Sequence, residues 1–506
     1  MTVFNKDTVN PLIHLNEHKD WLELLDICDG WMTEHSLKLL EEYLCSCAKS
    51  VLIEKDYHDK DYRDTYYNFY SKKHANYPTT CFRLNFFSNK ISTQTMWNLS
   101  RYNEEFIGFS IIRPTRINTI GRTVFDPRKI GFVKGFIPLA KFEVHILGSR
   151  LCVEGFPYIS QDTDLTICAH ASCWMIFRYF SQKYQTYAEK LPFQITQLTE
   201  DRSLGRLVPS RGITIFQVSE IFANFGFYPL VYDRSFYSDP KLFDRLLYYY
   251  IESGLPVVAG MSGRKHAITI IGHYPVEKLD LNGKSSPINV ADYVNGFVIN
   301  DDNFLPYQSL PRLAGIRGPH TSQYNLAEID SFVVPIYEKI YLPAEHVEAL
   351  AMSYLRRDSK FDPTNYGLDL NDLVIRILLT SSRSYKYFRV ENPIPNNLDR
   401  IYRQISMPKF IWLVEITTKA LYRDRKVIGE IIFDATASHK DRLAFITIHF
   451  PNHLFYHQRD SSDPNAGAEF DLHDALPYAM YDACVKSLAS YSQIKNMEKL
   501  QLGQIF

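Results

Sequence analysis

Residues 147–337 place their helices first and their strands last, and that order limits the fold more than any other feature of the chain. A helix is expected over 167–183, capped by Asp164 or Thr166, because Ala169, Cys173, Ile176, Phe177 and Phe180 form one apolar face. A second helix over 213–225 is stopped by Gly226, and a third over 243–252 by Ser253-Gly254. Three strand-like runs follow, at 256–261, 266–271 and 296–300, with no helix between them. Alternating βαβ units would interleave the two kinds of element, so their segregation predicts an α+β fold. Between the last two runs, 275–292 contains Asn282-Gly283, a strong turn signal, and an inserted hairpin is expected there.

At 506 residues the chain exceeds one hydrophobic core. Three domains are expected: an α+β accessory domain over 1–145, the central domain over 146–340, and an α+β C-terminal accessory domain over 341–506. The first carries helical periodicity over 21–50, broken at Asp29-Gly30, then strand-like runs at 81–87, 106–112, 131–137 and 142–146. The third opens with a helix over 345–356 and continues with strands at 373–379, 410–417, 427–433 and 444–450. A closing helix over 476–492 and an exposed loop at 460–467 complete it. A chain with 45% hydrophobic and 22% charged residues is a folded one. Its net charge of −1 supplies no basic field for nucleic acid. No apolar run reaches the length of a membrane span, and residues 1–33 lack a basic-then-apolar leader, so a cytoplasmic protein with no membrane partner is expected. The eight cysteines form no CxxC pair and read as reduced thiols.

The central region supplies what a thiol needs for acyl transfer: a base, a group to hold that base, and donors for an oxyanion. Cys168 falls at the expected helix start, where unpaired N–H groups and the macrodipole favour negative charge. Its own N–H can face an oxyanion, and Gln161, seven positions earlier, offers a second donor. His266 begins the run HAITIIGH as base. Asp301 directly follows the strand 296–300 and can accept the second imidazole N–H if the two strands are neighbours. Asp302 is the alternative acid, one residue on.

CAHASCWMIF with Gln161 upstream resembles the helix opening of papain-like cysteine peptidases, nearest to the bacteriocin leader-processing peptidases and phytochelatin synthase. HAITIIGHY resembles their His strand, and VINDDNFLPY the block in which Asp or Asn ends a strand. The three blocks stand in the family's order across about 157–307. Ala169 occupies a position usually held by Gly, the Gln161-to-Cys168 gap is one residue longer, and the His266-to-Asp301 spacing is wide, as an insertion at 275–292 would make it. The resemblance implies a papain-like domain with an N-terminal Cys helix and an antiparallel sheet bearing His and Asp. It further implies a Cys-His-Asp triad with a Gln oxyanion donor, no metal or organic cofactor, and peptide or protein substrates joined by peptide or isopeptide bonds.

Other readings compete. Cys173 echoes the SCW of papain itself but lies on the apolar stripe, where a small buried hydrophobe is expected. His273 is expected on the opposite strand face as a structural residue. Arg113, Arg116 and Arg122 read as a solvated loop in preference to an anion site. A metal site from Cys168, His170 and His266 lacks usual ligand spacing. Acyl transfer to an amine would use the same triad. A binding or regulatory protein on a degenerate scaffold, or an enzyme awaiting a regulatory protein partner, would keep the scaffold without free turnover.

Overall fold

The computed structural model describes residues 11–487, apart from 163, 199–211, 277–278, 280–286, 358, 360, 396–397, 439–440, 442–443, 458–466, 473–475 and 483–485. It is a mixed α+β protein with several sheets. About half of the insertion expected at 275–292 and most of the loop at 460–467 lie outside the described residues, as does Cys484; at the described end of the insertion, Ile288–Asn289 pairs parallel with Val374–Ile375 of the last sheet. The other seven cysteines are free thiols.

A five-stranded antiparallel sheet in chain order comes first: Leu12–His14, Ser50–Tyr57, Cys81–Phe87, Phe106–Ile112 and Ile120–Phe125. Helices His18–Ile27 and Glu34–Leu44 precede its second strand, separated by Asp29 and Gly30, both with positive φ. The run expected as a strand over 131–137 is strand only at Phe136–Ile137. A hairpin, Ala140–Ile146 with Ser149–Gly155, then leads toward the central helix.

The central sheet runs in the order Gln308–Pro311, Gly296–Asn300, His266–His273, Val257–Met261, Ser331–Val334, Leu230–Asp233, every neighbour antiparallel. Helix Cys168–Lys183 packs against its His266–His273 strand. Twelve consecutive residues of this helix, Ala169 to Phe180, are buried, because it has neighbours on more than one side. Helices Ile215–Asn224 and Pro240–Glu252 form as their patterns imply, the first followed by Gly226 at φ +88 and the second capped by Asp239.

In the last sheet the middles of the strands alternate between two clusters. Ile375, Ile377, Trp412 and Val414 face the core that continues from Ile13 to Phe455. Leu378, Ile411, Leu413 and Ile432 face a second cluster under helices Ser382–Glu391 and Leu398–Gln404. The closing helix expected over 476–492 does not form in its described part, which contains short strands at Tyr478–Ala479 and Lys486–Ser487. Tyr478 pairs across from Val427, and Lys486–Ser487 pairs with Phe136–Ile137 at the central sheet.

Candidate active site

Helix Cys168–Lys183 starts at the thiol itself. Its N-cap is Ile167, not Asp164 or Thr166, and no hydroxyl or carboxylate caps it; the Ile167 N–H is directed at Nδ1 of His170 at 3.5 Å. Asp162 and Thr166 are spent one turn earlier: Asp162 Oδ1 accepts from the N–H groups of Leu165 and Thr166, both at 2.8 Å, and Thr166 Oγ1 accepts from the Asp162 N–H. That local knot fixes the approach to the helix and leaves its first turn facing the site. Cys168 is half-buried, whereas Cys173, one turn on, is fully buried and its thiol is pushed up by desolvation.

The antiparallel register brings His266 and Asp301 together. Thr269 lies opposite Asn300 and Ile270 opposite Ile299, so the chain leaves the Gly296–Asn300 strand beside the start of the His strand. The 35-residue separation in sequence therefore closes to a hydrogen bond: Nε2 of His266 lies 3.0 Å from Oδ1 of Asp301. Asp302 Oδ1 is farther, at 3.8 Å. With Nε2 committed to Asp301, the other ring nitrogen is the one left for Cys168, whose sulfur is near enough to the ring to raise its basicity. Lys265, in the left-handed region at φ +51, ends the tight loop that starts the strand.

Burial lowers the basicity of His266, but the hydrogen bond to Asp301, the neighbouring Cys168 and the charge of Asp301 outweigh it, and the ring is pushed up to about 11. An imidazolium between the Cys168 sulfur and a carboxylate is thus the favoured state. Asp301 Oδ1 also accepts from the N–H of Asn303 at 3.1 Å and from its Nδ2 at 3.2 Å.

Gln161 reaches the same turn. Its Nε2 donates to Oδ1 of Asn303 at 3.2 Å, so Gln161, Asn303, Asp301 and His266 form one chain of hydrogen bonds. One Gln161 amide hydrogen is used in that bond, and the amide carries a second. Asn303 is the participant that reading the sequence overlooks. Its only signal is its place in Asp301-Asp302-Asn303 after a strand, a run that also serves any tight turn.

His266, Asp301 and Asp302 bring one ligand atom each within 4.8 Å of one another, the one such group among the described residues able to converge on a cation. A cation there would have to displace the Nε2 proton already shared with Asp301. The combination of Cys168, His170 and His266 does not converge: the Nδ1 of His170 faces Ile167, and burial pushes the ring down to about 4. His273 is structural, with Nε2 against Glu252 and its ring stacked on Phe136.

Arg113 and Arg122 are not in a solvated loop. Arg113 is buried and donates to the carbonyls of Asn118, Ile120 and Ser160, while Arg122 pairs with Asp59 at 2.8 Å. Arg116 alone of the three is exposed. No helix among the described residues is long and apolar enough to cross a membrane. No protein-family model matches the chain, and no curated protein or solved structure matches it either.

Proposed function

We propose that this chain is a papain-like thiol hydrolase that cleaves peptide or isopeptide bonds, with Cys168 as nucleophile, His266 as acid and base, and Asp301 as the residue orienting the ring. One observation carries the reading: a buried carboxylate at a strand end bonds an imidazole whose basicity also responds to a thiol at a helix start, 133 positions from that carboxylate in the chain. A structural histidine has no need of both.

In the reaction, the sulfur of Cys168 attacks the carbonyl carbon after its proton has passed to His266. The Cys168 N–H and the free amide hydrogen of Gln161 serve as donors to the oxyanion. The imidazolium then gives its proton to the leaving amine, the C–N bond breaks, and a thioester remains. Water attacks the thioester with His266 taking its proton, the carboxylic acid leaves, and the thiol is restored. Asp301 keeps the proton on Nε2 throughout, so the nitrogen facing sulfur is the one that cycles. An amine in place of water would make the same site a transferase.

Alkylation with iodoacetamide tests the nucleophile. Cys168 is expected to react faster at pH 7 than the exposed Cys45, and His266→Ala is expected to remove that advantage. On a peptide substrate the same variant should lose about 10²–10⁴-fold in turnover. Labelling of Cys168 no faster than Cys45 in the folded protein would defeat the proposal.

A further inference from the structure

Behind His266 the site holds more carboxylate oxygen than it has hydrogen-bond donors. Asp301 and Asp302 are both buried, at 0% and 1% exposure. Oδ1 of Asp301 accepts from His266 and twice from Asn303, while Oδ2 of Asp301 and both oxygens of Asp302 are buried with no hydrogen-bond donor. His266 is the one cationic partner of the pair among the described residues, and it lies nearer Asp301. Two ionised carboxylates would then share one imidazolium out of contact with water, leaving a net buried negative charge and three unsatisfied oxygens. Such a charge is costly, and two adjacent carboxyl groups relieve it by retaining a proton.

We propose that Asp301 and Asp302 hold one proton between them while the site is active, with Asp302 as a neutral acid that donates to Asp301 and keeps it aligned on His266. Its catalytic meaning rests on the thiol-hydrolase reading above; the shared proton itself does not. The two side chains bring oxygens within 4.8 Å, a gap that rotation of a terminal carboxyl can close. The Asp302 O–H would supply a donor to Oδ2 of Asp301 and remove one of two negative charges. Asp302 is then a positioning residue: it touches neither substrate nor sulfur.

The surroundings agree. Facing Asp302 are Asp301, His266 with Cys168 beyond it, the Tyr158 phenol, and the backbone N–H groups of Asp302 and Gln161, which approach without reaching hydrogen-bond geometry. Tyr158 spends its O–H on the Asp302 carbonyl at 3.0 Å, and burial keeps that phenol neutral well above its ordinary range. Burial and then the charge of Asp301 push Asp302 up to about 7, against the pull of His266. A group whose folded value lies above its unfolded one helps hold the fold together at low pH and ceases to as pH rises through the folded value.

Urea unfolding of the full chain against pH tests this. Asp302→Asn supplies a permanent neutral donor, so its unfolding constant relative to wild type should fall by about tenfold per pH unit between about pH 4 and pH 7, then level off. Parallel stability curves over that range would overturn the proposal. This readout is blind to turnover, so it stands or falls apart from the assignment of an enzyme. The rate of Cys168 alkylation gives the positional arm. Asp302→Asn should match wild type at pH 6, whereas Asp302→Ala and Asp301→Asn should both be slower. Equal rates for Asp302→Asn and Asp302→Ala would remove the donor role. If either substitution prevents folding, infrared spectra of wild-type protein at pH 6 and pH 9 decide: a protonated carboxyl C=O band lost at the higher pH supports the shared proton, and its absence at pH 6 overturns it.

Discussion

At the scale of single residues, the thiols of one helix separate by environment. Cys168 and Cys173 are little more than one turn apart, yet Cys168 is half-buried beside an imidazole while Cys173 is wholly enclosed in the apolar core. Cys173→Ala should therefore leave the alkylation rate of Cys168 unchanged and cost about 1–2 kcal/mol in urea unfolding, as a small core truncation does. A slower Cys168 in that variant would mean that the helix start had moved. His266 adds a pH dependence of definite sign. Its folded value is raised to about 11, so its contribution to stability is complete below the unfolded value near 6.5. That contribution drains away as pH rises toward 11, and Asp301→Asn should remove much of the alkaline decline. Cys168, His266 and Asp301 were legible in sequence because residue type, order and strand ends are local features. Asn303 and the unpaired oxygens of Asp302 were not, since hydrogen-bond satisfaction belongs to three-dimensional neighbours. Gln161 falls between: it reaches the site, and one of its amide hydrogens goes to Asn303.

Among elements, the position of the Cys helix depends on charges contributed by the first sheet and its helices. Trp174 Nε1 and Arg178 Nη2 both donate to Asp61 Oδ1, at 3.0 and 2.7 Å, and Asp61 opens helix Lys60–Asn68. Arg122, from strand Ile120–Phe125, pairs with Asp59, the N-cap of that same helix, and lies 3.7 Å from Asp61. Desolvation makes this cluster a weak source of net stability, but removing one partner strands the others. Asp61→Ala should cost about 3 kcal/mol in urea unfolding, the lower end for a broken buried pair, because Arg122 keeps Asp59 and Arg178 keeps Glu189. A loss below about 1 kcal/mol would show that water already screens the cluster. None of this could be read from the sequence: Asp61 stands 61 positions from Arg122 and 117 from Arg178, and an ion pair leaves no periodic signal. Strands such as Gly296–Asn300 were legible because their apolar runs are bounded by turns. The closing helix failed because Tyr478 and Ala479 pair with Val427 and Lys426 as a strand, a long-range pairing that the local pattern does not announce.

Across the whole molecule, one buried network ties the C-terminal sheet to the strand that carries His266. Arg376 donates through Nε to Glu252 at 2.6 Å and through Nη1 to Glu415 and to the Tyr481 carbonyl, while the Tyr481 N–H donates to Glu415. Glu252 closes helix Pro240–Glu252 and also meets His273, at the far end of the His strand. Burial raises the proton affinity of Glu252, but Arg376 and then His273 reverse it and hold the carboxyl down at about 2. Its contribution to stability is thus present above the unfolded value near 4.5 and is lost as pH falls toward 2. Arg376→Met leaves two buried glutamates without their shared cation and should cost about 3–5 kcal/mol. The triple variant Arg376→Met, Glu252→Gln, Glu415→Gln should recover much of that loss, since no uncompensated charge then remains. The candidate site gives the sharper outcome. His273 and His266 share a strand, so a network that set the site would slow Cys168 alkylation when Arg376 is removed. His266 is held at its own end by Asp301, through a bond that does not involve Glu252. Arg376→Met, assayed where it is still folded, should therefore alkylate Cys168 at the wild-type rate while unfolding at lower urea. A parallel fall in both would show that the C-terminal sheet helps to set the environment of Cys168, and not only the fold that carries it.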